Sequence, residues 1–479
     1  MIAPDPWHAR IRRKLAAWIW AQPEPDPAPP TLPSPPLSGP TPTPEDRYFL
    51  KRRRFEGTLS GHGSSVPVGF DAWIDGLGAL HVKLDTMDYS PEVGALSIDQ
   101  RPGTPVDLLE LEGVSEDDHR LRSDSFSITH RNHGSVYEIQ GDCYDAEIEL
   151  PADRRHDTSH DTRAWRVRQL STFRVLARDT PLGRVIIRGP QYDRSSQDPG
   201  SAIAIHRPQG DTNADWWAES ERLITHVARV LSFAADTYLR PVNEERYDGG
   251  TVKVRVVRQG PASPPFMAPF LFLHMQQIFD LACASYFDRY EKIEQLDAAI
   301  RWLTAPVAYD ESRLINAMSA LENIVARCDL EEIEFFLDKP EFNKLAKAVR
   351  GTLKAQGAPA QMNTKVTELN RRSLGHKIEA LIAARGIVTD DFPPEWLATI
   401  IRQRNLIVHT GVSPQFGEFE PDTLDHTIWA REIATRIILE RLGFAGGFRS
   451  WLHHDEQYRF PECVPMKKWV RDQQKKSAF

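Results

Sequence analysis

Between Ile400 and Gly411 the chain reads Ile-Ile-Arg-Gln-Arg-Asn-Leu-Ile-Val-His-Thr-Gly, which puts two arginines, an amide and a histidine in one short span. Those side chains suit cleavage of an RNA phosphodiester without metal. One group must take the proton of the ribose 2′-hydroxyl, another must protonate the leaving oxygen, and positive charge must meet the charge developing on the phosphoryl oxygens. Histidine and arginine fit these roles. At ~100° per residue, Leu397, Ile400, Ile401, Ile407 and Val408 share one helical face, with Ala398, Arg402, Asn405 and His409 in a stripe beside it. Arg404 falls in the apolar sector. A guanidinium there cannot shed its charge and needs a carboxylate, a phosphate or another chain. Gly411 is placed to cap the helix, so His409 sits in the last turn, where the macrodipole favours the imidazolium. Asn405, one turn earlier, is in reach of His409 or of a bound phosphate.

Spacing alone is weak evidence, because an arginine followed after four to six residues by histidine recurs at Arg154 or Arg155 to His160, Arg371 to His376 and Arg449 to His454. Arg404 to His409 differs in having an Arg-Asn pair, intervening Leu-Ile-Val, a preceding amphipathic helix and a following glycine. Arg402 is the second candidate for the arginine; it lies nearly in line with His409 but lacks an adjacent amide. The competing structural account pairs Arg402 and Arg404 with carboxylates such as Glu395 or Glu432 and leaves His409 as the end of a core helix.

The elements that must position these residues follow from pattern and composition. With 479 residues the chain is too long for one ordinary core. Lys plus Arg number 59 against 67 Asp plus Glu, a formal charge of -8, so any polyanion site has to be a local basic patch. The four cysteines, Cys143, Cys283, Cys328 and Cys463, are too far apart for a metal knuckle and fit a reducing cytoplasm. No metal or cofactor site is expected. His156 and His160, four apart, fall in a polar loop. Residues 1–22 should hold a short helix, whose apolar run Leu15 to Trp20 is too short for a signal sequence or a membrane span. Residues 23–44, half of them proline, form an extended linker. Lys51 to Arg54 reads as a solvated charge run.

Residues 45–260 read as a β-rich domain, sandwich or barrel-like, with alternation at Leu80 to Leu84, Ala146 to Leu150 and Val252 to Val256, and further strands at Trp165 to Arg168 and Arg184 to Ile187. One helix, about Asp215 to Tyr238, interrupts it. Residues 266–445 change to helical period: about Met267 to Leu303, a helix after the candidate cap Asp310, Lys344 to Leu353, Gly375 to Arg385, Pro393 to His409 and Leu424 to Leu442, with a polar loop from Gln356 to Asn370. Residues 446–479 form a tail. The fold class is therefore α+β, a β-rich domain followed by an all-α bundle.

Arg404-Asn405-Leu406-Ile407-Val408-His409 resembles the Arg-polar-x3-His signature of HEPN domains. The setting is similar to the Apea-like HEPN group of anti-phage defence proteins, through Ser319-Ala320-Leu321-Glu322, Leu374-Gly375-His376-Lys377-Ile378 and Trp396, and more loosely through Gly69-Phe70-Asp71 and Trp73 in the β-rich half. The resemblance implies an all-α domain that forms a homodimer with two such motifs in one cleft and cuts RNA, tRNA included, without metal. Arg404 would hold the scissile phosphate, His409 would act as acid or base, and Asn405 would orient one of them. Glu322 is a further candidate, against its reading as an exposed helix residue or an intrahelical partner near Arg327. Arg371, Arg372 and Lys377 could contact the RNA backbone or form solvated surface. The implied setting is cytoplasmic defence with a phage-derived trigger. The alternatives are a non-catalytic HEPN module that binds nucleotide, RNA or a partner chain, and a scaffold of a defence complex.

Overall fold

The computed structural model describes residues 52–61, 63–74, 79–85, 108–133, 136–151, 161–168, 170, 172, 174–189, 201–248, 250–257, 267–270, 275–307, 309–328, 334–413, 421–452 and 463–465. The expected N-terminal helix, the proline linker, His156, His160 and nearly all of the tail lie outside these residues. The described residues belong to one compact unit.

Six antiparallel strands close on themselves: β1 (Arg53–Gly61), β2 (Ser64–Ile74), β3 (Leu80–Leu84), β4 (Leu109–Val114), β5 (Arg120–His133) and β6 (Val136–Cys143). The ring runs β1-β2-β3-β6-β5-β4 and returns to β1, so the barrel alternative of the sequence reading is the one realised. Alternation is the cause. In β4, Leu109 and Leu111 point inward while Glu110 and Glu112 point out, and Phe55, Leu59, Phe70 and Val82 complete the apolar interior. Gly57 and Gly113 face each other across β1 and β4, where a Cβ on Gly57 would lie 1.8 Å from the Glu112 carbonyl oxygen. Only glycine permits that approach.

A second group of strands leaves the barrel through β7 (Asp145–Pro151). β6 and β7 are one strand bent at Tyr144: both pair with β5, while the free edge of β6 meets β3 and that of β7 meets β13 (Thr251–Val257). From there the order continues through β12 (Pro241–Asp248), β8 (Thr162–Val167), β11 (Ser201–His206), β10 (Gly183–Arg188) and β9 (Leu176–Thr180). On one face of this sheet, Trp165, Val167, Val185, Ile187, Ile203 and Ile205 meet α1 (Trp216–Ala235). The expected stripe of α1 is buried throughout, at Leu223, Val227, Val230, Leu231 and Ala234. Trp216 is also buried, and its indole N–H donates to the Leu182 carbonyl at 2.8 Å, so its ring is core rather than a stacking surface.

The helical half comprises α2 (Met275–Glu294), α3 (Asp297–Thr304), α4 (Asp310–Ala326), α5 (Lys339–Ala355), α6 (Ala360–Lys365), a 3-10 turn (Val366–Asn370), α7 (Leu374–Arg385), α8 (Trp396–Thr410) and α9 (Thr423–Leu442). Three expectations change. The stretch from Met267 to Leu303 divides into α2, kinked at Arg289, and α3. Asp310 is the first helical residue of α4 rather than its cap, which is the extended Tyr309. The stretch from Gln356 to Asn370 holds α6 and the 3-10 turn, because the Pro359 start and a run of good helix formers outweigh its polarity.

One core joins α1, its sheet and the helices. The change of period near residue 266 therefore marks a change of secondary structure within a shared interior. Asp236, the left-handed C-cap of α1 at φ 52°, ties the two halves: it accepts from the Met267 N–H and from the buried Arg431 of α9. Helix α9 is buried almost all round and is the axis of the bundle. Among the described residues, no helix is long and apolar enough to cross a membrane.

His226 is enclosed between α1 and α2, its Nε2 3.0 Å from Ser285 Oγ, with Tyr286 and Tyr290 alongside. Burial, reinforced by Arg229, lowers its pKa from 6.5 to about 3. The ring thus stays neutral in the native chain where the unfolded chain takes up a proton, and stability falls as pH drops from 6.5 towards about 3. Relative to a His226→Gln variant, the native protein should lose up to ~1.4 kcal/mol per pH unit across that window in a series of denaturant titrations. Parallel pH profiles for the two proteins would contradict this assignment.

Candidate functional site

Helix α8 begins abruptly. Glu395 adopts a left-handed conformation at φ 58° after Pro393 and Pro394, and no side chain caps the first turn. Its entry is held instead by Arg436 of α9, 1% exposed, whose two terminal nitrogens meet the Asp391 carboxylate at 2.8 and 2.7 Å. Arg436 also donates to the Val388 carbonyl at 2.6 Å and to Glu432 at 3.0 and 3.1 Å. The second Glu432 oxygen accepts the Trp451 N–H at 3.1 Å. Phe392 and Phe448 pack on the guanidinium.

Leu397, Ile400 and Ile407 anchor α8, and Ile401 packs at the margin of the core. Close approach of α7 depends on Gly375, since a Cβ there would lie 3.0 Å from Ile401 Cδ1. A leucine at Gly375 should cost about 1–3 kcal/mol through overpacking, read as a lower urea midpoint with an unchanged m-value. An unaltered midpoint would show that the two helices are free to separate.

The second stripe emerges as expected: Ala398, Arg402, Asn405 and His409 are all exposed. The apolar face is shorter than its pattern implied, because Val408 is 53% exposed, as is Leu406 at 38% and Val412 beyond the helix at 63%. The last turn of α8 has left the bundle. Gly411, at φ 77°, caps it by donating to the Ile407 carbonyl at 2.7 Å. His409 therefore lies at an open helix end, and its ring makes no hydrogen bond or ion pair among the described residues.

Arg404 projects sideways from this end. One terminal nitrogen donates to Glu322 Oε1 of α4 at 2.6 Å and the other to Asn405 Oδ1 at 3.1 Å. The carboxylate partner is thus Glu322, not Glu395 or Glu432; Glu432 is committed to Arg436. Glu322 is likewise not an intrahelical partner near Arg327. Asn405 steadies Arg404 rather than His409. The Arg404 and Glu322 side chains are 29% and 38% exposed, so the pair contributes only about 0–1 kcal/mol and is open to a competing anion. Two of the five guanidinium N–H groups are engaged, which leaves Nε–H and one hydrogen on each terminal nitrogen for a phosphate.

The structure brings Glu322, Arg404 and Asn405 into direct contact, places His409 one turn beyond, and sets Arg402 on the exposed stripe without an ion pair among the described residues. Arg371, Arg372 and Lys377 lie at the start of α7, where Arg372 donates to the Phe335 carbonyl at 2.9 Å. Two neighbours went unnoticed in the sequence. Asn323 Oδ1 and Gln403 Oε1, each next in the chain to one member of the ion pair, are shielded from solvent without a hydrogen-bond partner. The only signal for them was an uncharged amide beside each charge. Among the described residues, no group of three or more His, Cys, Asp or Glu is arranged to hold a metal ion. Cys143 and Cys283 are buried, which pushes both thiols up to about 12 and makes them poor nucleophiles.

The geometry defines a class of site: a guanidinium oriented by a carboxylate and an amide, with an accessible imidazole five residues on, at the C-terminus of the same helix. Comparison with known proteins adds no family, since no protein-family model, curated protein or solved structure matches the chain.

Proposed function

We propose that the protein is a metal-independent HEPN endoribonuclease that works as a cytoplasmic homodimer in defence against phage, cutting cellular RNA, tRNA among the candidates. The observation that carries this reading is an exposed His409 in the last turn of the helix that also carries Arg404, whose guanidinium is oriented yet only partly occupied. In the proposed reaction the 2′-oxygen bonds to phosphorus and the bond to the 5′-oxygen breaks. One imidazole accepts the 2′ proton and another, from a second copy, protonates the leaving 5′-oxygen. Arg404 holds the non-bridging oxygens, Asn405 keeps it aimed, and Glu322 sets its position. Exposed Leu406, Val408 and Val412 at the same helix end supply apolar surface for the second copy. A phage-derived trigger would act through the β-rich half.

A second reading is favoured by the Arg404–Glu322 pair itself. A guanidinium already bonded at 2.6 Å can serve a non-catalytic HEPN module, which would bind a nucleotide, RNA or partner chain, or a scaffold of a defence complex. Purified protein incubated with total RNA, with the new ends sequenced, separates the two: defined ends bearing cyclic phosphate support cleavage, and intact RNA supports the binding module.

A further inference from the structure

We propose that the outward face of α5, with the aromatic step at its base, is a docking surface for the phosphate backbone of RNA. Naming RNA as the polyanion rests on the ribonuclease reading; the charge argument stands without it. The chain is acidic as a whole, at -8, yet residues 338–377 carry nine Lys and Arg against three Asp and Glu. In α5 the cations are Lys339, Lys344, Lys347, Arg350 and Lys354, with Glu341 the only acidic residue in the helix. All five are exposed, and none forms an ion pair among the described residues. Of the acidic residues described just before α5, Glu334 and Asp338 are exposed and pair with none of them.

Helical geometry concentrates this charge. At ~100° per residue, Lys339, Lys347, Arg350 and Lys354 fall within a sector of about 80°, and at ~1.5 Å per residue they span roughly 22 Å along the axis. Phe342, Ala346, Val349 and Leu353 lie on another side, where Ala346 is the one buried residue and the helix meets the 3-10 turn and α6. A membrane-surface helix would turn its apolar face outward between flanking lysines. Here Phe342, Val349 and Leu353 are half-buried towards the 3-10 turn and α6, Leu345 is 52% exposed, and the cationic face points to water, which favours a hydrated phosphate chain.

At the base of α5, Phe335 and Phe336 are 40% and 47% exposed. Buried Asn370 fixes this step, accepting from the Leu337 N–H and donating to the Leu337 carbonyl, both at 2.9 Å. The Arg372 guanidinium lies 5.2 Å from the Phe336 ring centre and the His376 ring also 5.2 Å from it, edge-on. Exposed rings beside arginines are what unpaired bases stack on.

Fluorescence anisotropy on the full chain tests the proposal, using a labelled RNA hairpin with a single-stranded tail, the same hairpin as DNA, and vesicles rich in phosphatidylserine. The protein should bind the RNA hairpin. Joint Lys347→Glu, Arg350→Glu and Lys354→Glu replacement should weaken binding on the order of 10²-fold and reduce the log–log salt slope by about 2 to 3. Joint Phe335→Ala and Phe336→Ala should weaken binding of the tailed hairpin by roughly tenfold or more. All five positions are exposed, so circular dichroism should show an unchanged fold. Unaltered RNA affinity in the triple variant overturns the surface, as does charge-dependent binding to vesicles but not to RNA. Equal binding of the DNA hairpin overturns RNA as its occupant. Stripe-dependent RNA binding without cleavage sinks the nuclease reading and leaves the docking surface standing. Undiminished binding and cleavage by the triple variant do the reverse.

Discussion

Replacing His409 with alanine should abolish RNA cleavage and leave the unfolding midpoint of the protein almost unchanged. The ring is exposed and bonded to nothing among the described residues, so its loss should cost the fold no more than about 0.5 kcal/mol, the usual range for a surface substitution. Loss of a general acid or base slows a reaction by about 10²–10⁴-fold. Arg404→Ala should slow it by roughly 10²–10³-fold, because charge stabilisation at the phosphoryl oxygens is lost and Glu322 is left facing the site as a bare anion. Glu322→Gln should retain more activity than Arg404→Ala, since an amide oxygen can still accept from the guanidinium. A chelator should leave the rate of the native protein intact. Rates are best read on a fixed RNA substrate beside a denaturant titration of each variant. Native activity in both alanine variants would remove the assignment of chemistry to this helix end.

Removal of the Arg436 side chain is expected to be the most damaging single change to the fold. Arg436→Ala takes away the guanidinium that Asp391 and Glu432 share in an interior where both side chains are at most 7% exposed. Breaking a buried pair in this way costs about 3–5 kcal/mol, because the orphaned charge remains desolvated. A Met at Arg436 combined with Asp391→Asn and Glu432→Gln should recover much of that loss. The measurement is the free energy of unfolding in urea. A loss below about 1 kcal/mol in Arg436→Ala would show that water reaches the site and screens the carboxylates. Activity should track the folded fraction here, in contrast to the His409 variant.

The α+β order, the main helices and the exposed stripe of α8 were legible because hydrophobic period reports directly on which face is buried. In β4 or α1 the pattern and the burial coincide residue by residue. Barrel closure was not legible: it depends on β4 reaching back to β1 and β6 to β3, long-range pairings to which local alternation is blind. The end of the apolar face of α8 was missed for a related reason. Val408 continues the pattern, but among the described residues no neighbouring element covers it, and it is 53% exposed. The charge on Arg404 announced that a partner was needed without naming it. Glu322 lies 82 residues earlier, and only the packing of α4 against α8 decides between it and nearer carboxylates. The buried polar residues of α9, Arg431, Glu432, Arg436 and Arg441, were equally silent, since the partners that make their burial possible lie far away in the chain.

The shared interior beneath α1 also bears on how such a chain could have been assembled over time. Recombination that cut near residue 260 would hand the helical half to a new host without α1 and its sheet, exposing the surface where Val227, Val230 and Leu231 now sit. The helices that carry Arg404 and His409 are therefore not a free-standing cassette. Any exchange of this site has to carry the second sheet with it, and the closed barrel does not come away at the bend around Tyr144 either, because its apolar cluster takes in Ala146, Ile148 and Leu150 of β7 and Val252, Val254 and Val256 of β13.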